Sequence, residues 1–78
     1  MNNDLEYRIR KSERKLRLGD KLCQLRKAKG WTQDNVARKL CVSSATISNI
    51  ENGTQSIYAH DLPEWADIFN CSIEEILK

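Results

Sequence analysis

The sequence has no long hydrophobic run and contains few cysteines, glycines or prolines. Its 78 residues include three cysteines, three glycines and one proline. No apolar run approaches the roughly eighteen residues needed to cross a bilayer, and no short one lies near the N-terminus. We therefore expect a cytoplasmic protein with no membrane partner. Because the cysteines are odd in number and lack C-x-x-C spacing, they also exclude the disulfide framework of a small secreted domain.

Sites for catalysis or metal binding are equally sparse. Cys23, Cys41, Cys71 and His60 could supply four zinc ligands, but the paired spacing of zinc sites is absent. The sequence also lacks paired carboxylates, a nucleophile–base set and a glycine-rich phosphate loop. A chain of this length buries only about 60% of its surface, which leaves little room for an enclosed active site. We predict a non-enzymatic protein without metal or cofactor.

Charge is distributed unevenly along the chain, although the net charge is only +2. Residues 1–39 contain twelve basic and five acidic side chains, and residues 40–78 contain one basic and six acidic side chains. The two halves therefore carry +7 and −5. A basic half in a small domain indicates a polyanionic partner, most often nucleic acid.

The chain divides into a basic N-terminal arm, 1–16, and one domain, 17–78. The arm has too few apolar residues to define a buried face, so we expect a frayed segment or a helix that forms only against a partner. Either a solvated tail or a DNA-contacting arm agrees with its composition. In the domain, apolar residues recur at helical spacing and no segment alternates as a strand does. The predicted fold is all-α with five short helices.

Capping signals give the approximate helix boundaries. Gly30 follows a basic last turn and is predicted to end the first helix. Thr32 and Ser43 are predicted N-caps, and Asp61–Glu64 and Ser72–Glu75 have capping-box spacing. Pro63 then lies in a first turn, where its missing N–H is tolerated. The predicted helices cover about 17–29, 33–40, 44–52, 62–69 and the residues after Ser72. Their expected inward side chains are Leu18, Leu22, Leu25, Val36, Ala37, Leu40, Val42, Ile47, Ile50, Leu62, Trp65, Ala66, Phe69, Ile73, Ile76 and Leu77.

Two short helices separated by three residues have the spacing of a helix-turn-helix. No charged side chain lies between Lys39 and Glu51, and the outward positions of the second helix are small and polar. A solvated face would ordinarily carry Lys, Glu or Arg. Small neutral side chains instead suit close approach to a surface such as the base edges of a major groove.

The order and spacing of these residues resemble the lambda-repressor-like (Xre) helix-turn-helix family. The similarity covers about residues 18–78. It is carried by Thr32-Gln33-(x2)-Val36-Ala37 and by Val42-Ser43-(x3)-Ile47-Ser48-(x)-Ile50-Glu51-(x)-Gly53.

The resemblance implies roles for individual side chains. It implies an ion pair of Arg26 with Glu51 that fixes the orientation of the second helix of the motif. Asn49 is the best candidate for a specific contact, because Asn pairs bidentately with adenine. The positions that face base edges are Ser44, Ala45, Ser48 and Asn49. Those that would hold the DNA backbone are Gln33, Ser43, Thr46, Asn52, Thr54 and Gln55.

The sequence departs from the family pattern in four respects. Cys41 takes the turn position where the family usually has glycine, often with positive φ, at a cost of about 1 kcal/mol. Ile57 stands where proline is common, and Pro63 lies in the fourth helix. No Gln or Arg occupies the outward face of residues 44–49, so we expect few direct contacts with base edges.

These observations predict a transcriptional regulator, most simply a repressor, that binds a palindromic operator in double-stranded DNA as a homodimer. The alternative is an antitoxin or protein-interaction module that uses the same fold with little base readout, with a partner such as a toxin or an antirepressor. The dimer surface is expected from Ile57, Tyr58, Cys71, Ile73, Ile76 and Leu77.

Overall fold

The computed structural model describes residues 17–78, and the predicted arm, 1–16, lies outside the described residues. Within 17–78 the chain forms five α-helices and one 3-10 turn, and this part of the chain contains no strand. The all-α prediction with five short helices is confirmed. The helices are α1 (17–28), α2 (Gln33–Leu40), α3 (Ser44–Glu51), α4 (Leu62–Phe69) and α5 (Ile73–Leu77), with the 3-10 turn at Ala59–Asp61.

Helices α2 and α3 begin at the two predicted caps. The Thr32 hydroxyl accepts a hydrogen bond from the Asn35 N–H at 3.0 Å, and the Asn35 side chain accepts from the Thr32 N–H at 2.9 Å. This is a reciprocal capping box. The Ser43 hydroxyl accepts from the Thr46 N–H at 3.1 Å. Both helix starts are therefore defined by local side-chain chemistry, independently of the core.

The turn between α2 and α3 contains a residue in the left-handed conformation. Cys41 has φ 58° and ψ 42°, as expected at the position where glycine is usual. Val42 follows it and is 42% exposed, so the prediction that Val42 points inward is wrong. Val42 lies in the turn, outside both helices, and the helical periodicity of α3 therefore does not govern its direction.

The predicted capping box at the start of α4 is also wrong. The 3-10 turn leads directly into α4, and the Asp61 N–H donates to the Tyr58 carbonyl at 2.9 Å. Asp61 consequently has helical dihedrals, whereas a capping side chain needs an extended backbone, and it makes no capping bond. Pro63 lies in the first turn as predicted. At α5, Ser72 caps the Glu75 N–H at 3.1 Å, without the return bond from the Glu75 side chain.

The core is formed by apolar side chains from all five helices. Trp31, in the loop after α1, stacks on Phe69 with ring centroids 5.8 Å apart. The prediction that Ile73 and Leu77 point inward is wrong: they are exposed at the surface, and of the three apolar side chains of α5 only Ile76 is buried in the core. The buried residues are Leu22, Val36, Ala37, Ile47, Ile50, Trp65, Ala66, Phe69 and Ile76.

Helix α1 touches the end of α3 through its backbone at Gly19. A Cβ built at Gly19 would lie 2.5 Å from the carbonyl oxygens of Ile50 and Glu51. Contacts this short do not occur between a real Cβ and a backbone oxygen, so only glycine allows the two helices to approach this closely. The contact fixes the end of α3 against α1.

We expect Gly19→Ala to lower the free energy of unfolding by about 2–3 kcal/mol, because the added methyl forces the helices apart. This loss should appear although alanine favours a helix over glycine by about 1 kcal/mol. Urea unfolding followed by circular dichroism measures it. Gly30→Ala is the matched control: Gly30 has φ +74° and open space around it, so only the left-handed strain of about 1 kcal/mol applies. A Gly19→Ala loss no larger than that of Gly30→Ala would contradict the close approach.

Candidate nucleic-acid interface

Helix α3 has one buried face and one accessible neutral face. Ile47 and Ile50 are buried in the core. The four predicted base-contacting side chains share the other side, at positions i, i+1, i+4 and i+5 of the helix. Ala45 and Asn49 are exposed, and Ser44 and Ser48 are half-buried. No charged residue precedes Glu51 in α3, so this face presents small groups that can approach another surface closely.

The N-terminal end of α3 is held by a hydroxyl pair and by a carboxylate. The hydroxyls of Ser43 and Thr46 lie 2.9 Å apart. The Ser44 hydroxyl donates to Oδ1 of Asp34 in α2 at 2.9 Å, and Oδ2 of Asp34 pairs with Nη2 of Arg38 at 2.9 Å. We did not predict the contact of Ser44 with Asp34. Its two residues are ten apart in sequence, and only the packing of α2 on α3 brings them together.

The loop after α3 folds back on the helix. The Asn49 carbonyl accepts from the N–H groups of Thr54 and Gln55 at 2.9 and 3.1 Å. The Asn52 side-chain oxygen accepts from the N–H and the hydroxyl of Thr54 at 3.1 and 2.8 Å. Gly53 permits this turn with φ 84°. Because its oxygen is occupied, Asn52 presents its amide NH₂, a hydrogen-bond donor, to solvent.

A partly buried ion pair connects α1 with the end of α3. Arg26 contacts Glu51 with two nitrogens, Nε to Oε2 at 2.7 Å and Nη2 to Oε1 at 3.0 Å. Its third nitrogen, Nη1, donates to the Trp31 carbonyl at 2.8 Å. The two side chains are 12% and 7% exposed, so the pair is largely removed from water. The structure thus brings together the two residues for which the family resemblance implied an ion pair.

Gln33 joins the same cluster of side chains. Its Nε2 donates to Oε1 of Glu51 at 3.1 Å, so the first residue of α2 is bonded to the last residue of α3. A side-chain amide has two N–H donors, and the Glu51 bond uses one of them. The second donor, together with the positive end of the α2 dipole, is available to an anion.

Protonation of the cluster follows from its contacts. Burial raises the pKa of Glu51, but the hydrogen bonds from Arg26 and Gln33 and the Arg26 charge outweigh burial and hold that pKa below its ordinary value of 4.5. The bond to Glu51 raises the pKa of Arg26. Both groups are therefore charged at neutral pH, and the charged form of Glu51 is favoured by folding.

The predicted dimer residues fall into accessible and buried groups. Tyr58, Ile73 and Leu77 are exposed, and Ile57 and Cys71 are half-buried. Ile76 is only 1% exposed and its side chain belongs to the core, so its assignment to a dimer surface is wrong. Beside Tyr58 lies a groove of about 250 Å³, lined by residues that include Leu40, Val42, Ile57, Asp61 and Glu64.

The described residues were also compared with the requirements of a metal site and of a membrane span. Across 17–78 there is no group of three or more His, Cys, Asp or Glu side chains that could hold a metal ion, and Cys23, Cys41 and Cys71 are free. No helix in this range is long and apolar enough to cross a membrane.

Two short helices joined at a three-residue turn, with the second presenting a neutral accessible face, define a helix-turn-helix DNA-binding domain. The comparison with protein families agrees. The helix-turn-helix family model matches residues 24–76, more than half of the chain. The chain belongs to this family, the lambda-repressor-like (Xre) class of helix-turn-helix domains.

Related proteins and structures are of the same kind. A competence pilus inhibition repressor from Acinetobacter baylyi is 44% identical over 52 residues, 67% of this chain and 47% of the relative. The chain thus spans about half the length of that relative. YazB of Bacillus subtilis, described as an uncharacterized HTH-type transcriptional regulator, is 33% identical over 58 residues, 74% of this chain and 84% of the relative.

Among solved structures, the restriction-modification controller protein C.AhdI from Aeromonas hydrophila superposes with a TM-score of 0.73. The superposition covers 78% of this chain and 92% of the controller protein, at 21% sequence identity. The two proteins therefore share the fold.

The lowered pKa of Glu51 predicts a pH dependence of stability. We expect Glu51→Gln to be less stable than the wild type by about 2 kcal/mol at pH 7, because Arg26 loses its charged partner. The contribution of the ionised carboxylate is complete above pH 4.5, the ordinary pKa, and is lost as the pH falls through the lower pKa of the folded state. The difference between wild type and variant should therefore shrink below pH 4.5.

Urea unfolding at pH 7, 5, 4 and 3 tests this dependence. Glu74→Gln, which removes an exposed carboxylate of α5, is the control and should change little at any pH. An equal Glu51→Gln loss at pH 7 and pH 3 would show that the ion pair does not carry the effect.

Proposed function

We propose that the protein is a transcriptional repressor that binds a palindromic operator as a homodimer, with α3 of each copy in the major groove. The observation that carries the proposal is the neutral, accessible face of α3, held at its end by the ion pair of Arg26 with Glu51 and by the backbone contact at Gly19. A face of small side chains can approach base edges closely only if the helix behind it is firmly positioned.

Base contacts are assigned to Ser44, Ala45, Ser48 and Asn49. The Asn49 side chain is exposed, and no side-chain hydrogen bond within 17–78 occupies its amide, so both its donor and its acceptor can pair with adenine. The Ala45 methyl group suits contact with a thymine methyl. Asn49 therefore supplies most of the direct readout.

Backbone contacts are assigned to donors at both ends of the motif. Gln33 at the start of α2 and Asn52 after α3 each present a free amide N–H. We include three further polar groups: Ser43 and Thr46 at the start of α3, and Gln55 in the loop after it. Thr54 differs, because its N–H and its hydroxyl already donate within the loop. We assign Thr54 to holding the loop in shape.

The distribution of charge supports this orientation. Apart from Lys78, the lysine and arginine residues of the described chain lie in α1, in the loop after it and at the end of α2, where they can attract the phosphate backbone. The acidic residues of α4 and α5 lie on two helices that contact each other, and α4 also contacts α2. We place the DNA against α3 and the start of α2, and the dimer contact at the acidic, apolar end.

One similarity supports a repressor over other regulators. The Acinetobacter relative is named as a repressor. A protein-interaction module, such as an antitoxin, is the second candidate. The observation that favours it is the absence of Arg and Gln from the outward face of α3, which leaves Asn49 as the one side chain there able to pair bidentately with a base.

DNA binding can be measured by fluorescence anisotropy with a duplex from upstream of the protein's own gene and a random duplex. We expect Asn49→Ala to weaken binding to the specific duplex by about 1–3 kcal/mol and to leave random-duplex binding unchanged. Gln33→Ala should weaken both duplexes alike, because phosphate contacts carry no sequence information. Equal, weak binding of the wild type to both duplexes at every salt concentration would overturn the proposal and favour the interaction module.

The homodimer is tested separately by sedimentation. Tyr58 is 69% exposed and stacks on His60 with centroids 5.4 Å apart, and Leu77 is 58% exposed, so both offer apolar area to a second copy. We expect Tyr58→Arg and Leu77→Arg to raise the dimer dissociation constant at least about tenfold, equivalent to about 1.4 kcal/mol. Gln24→Arg, at an exposed position of α1, adds the same charge elsewhere and should have little effect. A monomeric wild type at high micromolar concentration, with and without DNA, would contradict the dimer.

A further inference from the structure

An acidic residue, Asp34, lies beside Ser44, the first of the four proposed base-contacting residues of α3. Asp34, in the first turn of α2, accepts the hydroxyl hydrogen of Ser44 at 2.9 Å through Oδ1. Its other oxygen, Oδ2, is 2.9 Å from Nη2 of Arg38, one turn further along α2. The Asp34 and Arg38 side chains are 54% and 79% exposed, so the cluster lies at the protein surface beside the N-terminal end of α3.

This contact fixes which kind of hydrogen bond Ser44 can offer. A free serine hydroxyl rotates and can donate or accept, whereas an ionised carboxylate only accepts. The bond between Ser44 and Asp34 therefore requires Ser44 to be the donor. The lone pairs of the Ser44 oxygen remain, and they can only accept a hydrogen bond from a ligand.

We propose that Asp34 is a positioning residue for sequence recognition, which makes Ser44 an obligatory hydrogen-bond acceptor toward DNA. In the major groove, cytosine N4 and adenine N6 are donors, whereas guanine O6 and N7 and thymine O4 are acceptors. An acceptor at Ser44 selects an amino group, so the base facing it is cytosine or adenine. This inference rests on the proposed function, because it assigns a preference to a DNA contact made by α3.

The ion pair with Arg38 adds a second effect. An unpaired carboxylate next to the DNA would repel phosphates, and Arg38 neutralises it. The same pairing engages Nη2 of Arg38, one of the nitrogens that could otherwise contact a phosphate. Asp34 therefore restricts the base choice at Ser44 and also limits binding to random sequence, so both consequences favour specific over nonspecific DNA.

The experiment selects duplexes from a randomised library with the wild type, Asp34→Ala and Ser44→Ala, and sequences what is bound. The position that loses its preference in Ser44→Ala identifies the base pair that faces Ser44. We expect the wild type to prefer an amino-bearing base there. In Asp34→Ala the freed hydroxyl can also donate, and guanine or thymine at that position should gain about five- to tenfold relative to the wild type.

Binding to a random duplex is measured in parallel over a range of salt concentrations. Asp34→Ala should bind random DNA more tightly. The slope of the logarithm of its binding constant against the logarithm of the salt concentration should be steeper by up to about one, as expected when one arginine becomes free to contact a phosphate. Asp67→Ala, which removes an exposed carboxylate of α4, gives the same change in net charge away from Ser44. Urea unfolding of both variants shows whether either change alters folding.

The outcomes separate this inference from the proposed function. A wild type that selects no sequence overturns both. A wild type that selects a sequence while Asp34→Ala keeps the same base preference at the Ser44 position overturns the inference alone. A gain in random-duplex binding no larger than that of Asp67→Ala also counts against it. A changed preference at that position, with a larger gain than the control, supports it.

Discussion

The arrangement of the domain depends on the ion pair of Arg26 with Glu51. One guanidinium bonds to the last residue of α3 and to the carbonyl of Trp31, and the same carboxylate holds the amide of Gln33. The start of α2 and the end of α3 are thereby set relative to α1 by charge-assisted hydrogen bonds in a site largely closed to water. Such bonds are directional, whereas apolar packing alone permits neighbouring helices to slide and rotate. Gln33, one of the groups proposed to hold the DNA backbone, is placed by this pair.

The outward face of α3 contributes little to this framework. Ile47 and Ile50 are buried in the core, Glu51 forms the ion pair with Arg26, and Ser43, the residue before the helix, caps its first turn. The remaining positions are small and neutral, so no desolvation of charge opposes their approach to a base edge. The residues of α3 that are buried in the core or pair with Arg26, namely Ile47, Ile50 and Glu51, therefore differ from those proposed to contact bases. Because different residues bury the helix and face outward, a domain with a limited core can still present a binding surface.

Local chemistry made most of the fold predictable, and tertiary contacts account for what was missed. Thr32 and Ser43 cap their helices through bonds to residues three positions away, which a linear pattern contains. The predicted cap at Asp61 is wrong because Asp61 is the last residue of a 3-10 turn, which the capping pattern does not indicate. The approach of α1 to α3 at Gly19 was missed since nothing in a single sequence states which backbone lies opposite a glycine. The pairing of Ser44 with a residue of α2 was invisible for the same reason.

The bond of Ser44 to Asp34 has an evolutionary consequence. Ala45, Ser48 and Asn49 make no side-chain hydrogen bond within 17–78, so substitutions there can change the preferred operator one position at a time. Ser44 cannot vary with the same freedom. Its replacement removes the hydroxyl that the Asp34 carboxylate binds, and it leaves the pair of Asp34 and Arg38 next to the proposed DNA surface without that contact. Among homologues, residues 34 and 44 should therefore covary, whereas residues 45, 48 and 49 diverge independently. To redirect this domain to a new operator, positions 45, 48 and 49 could be substituted one at a time, whereas positions 34 and 44 would have to be substituted together.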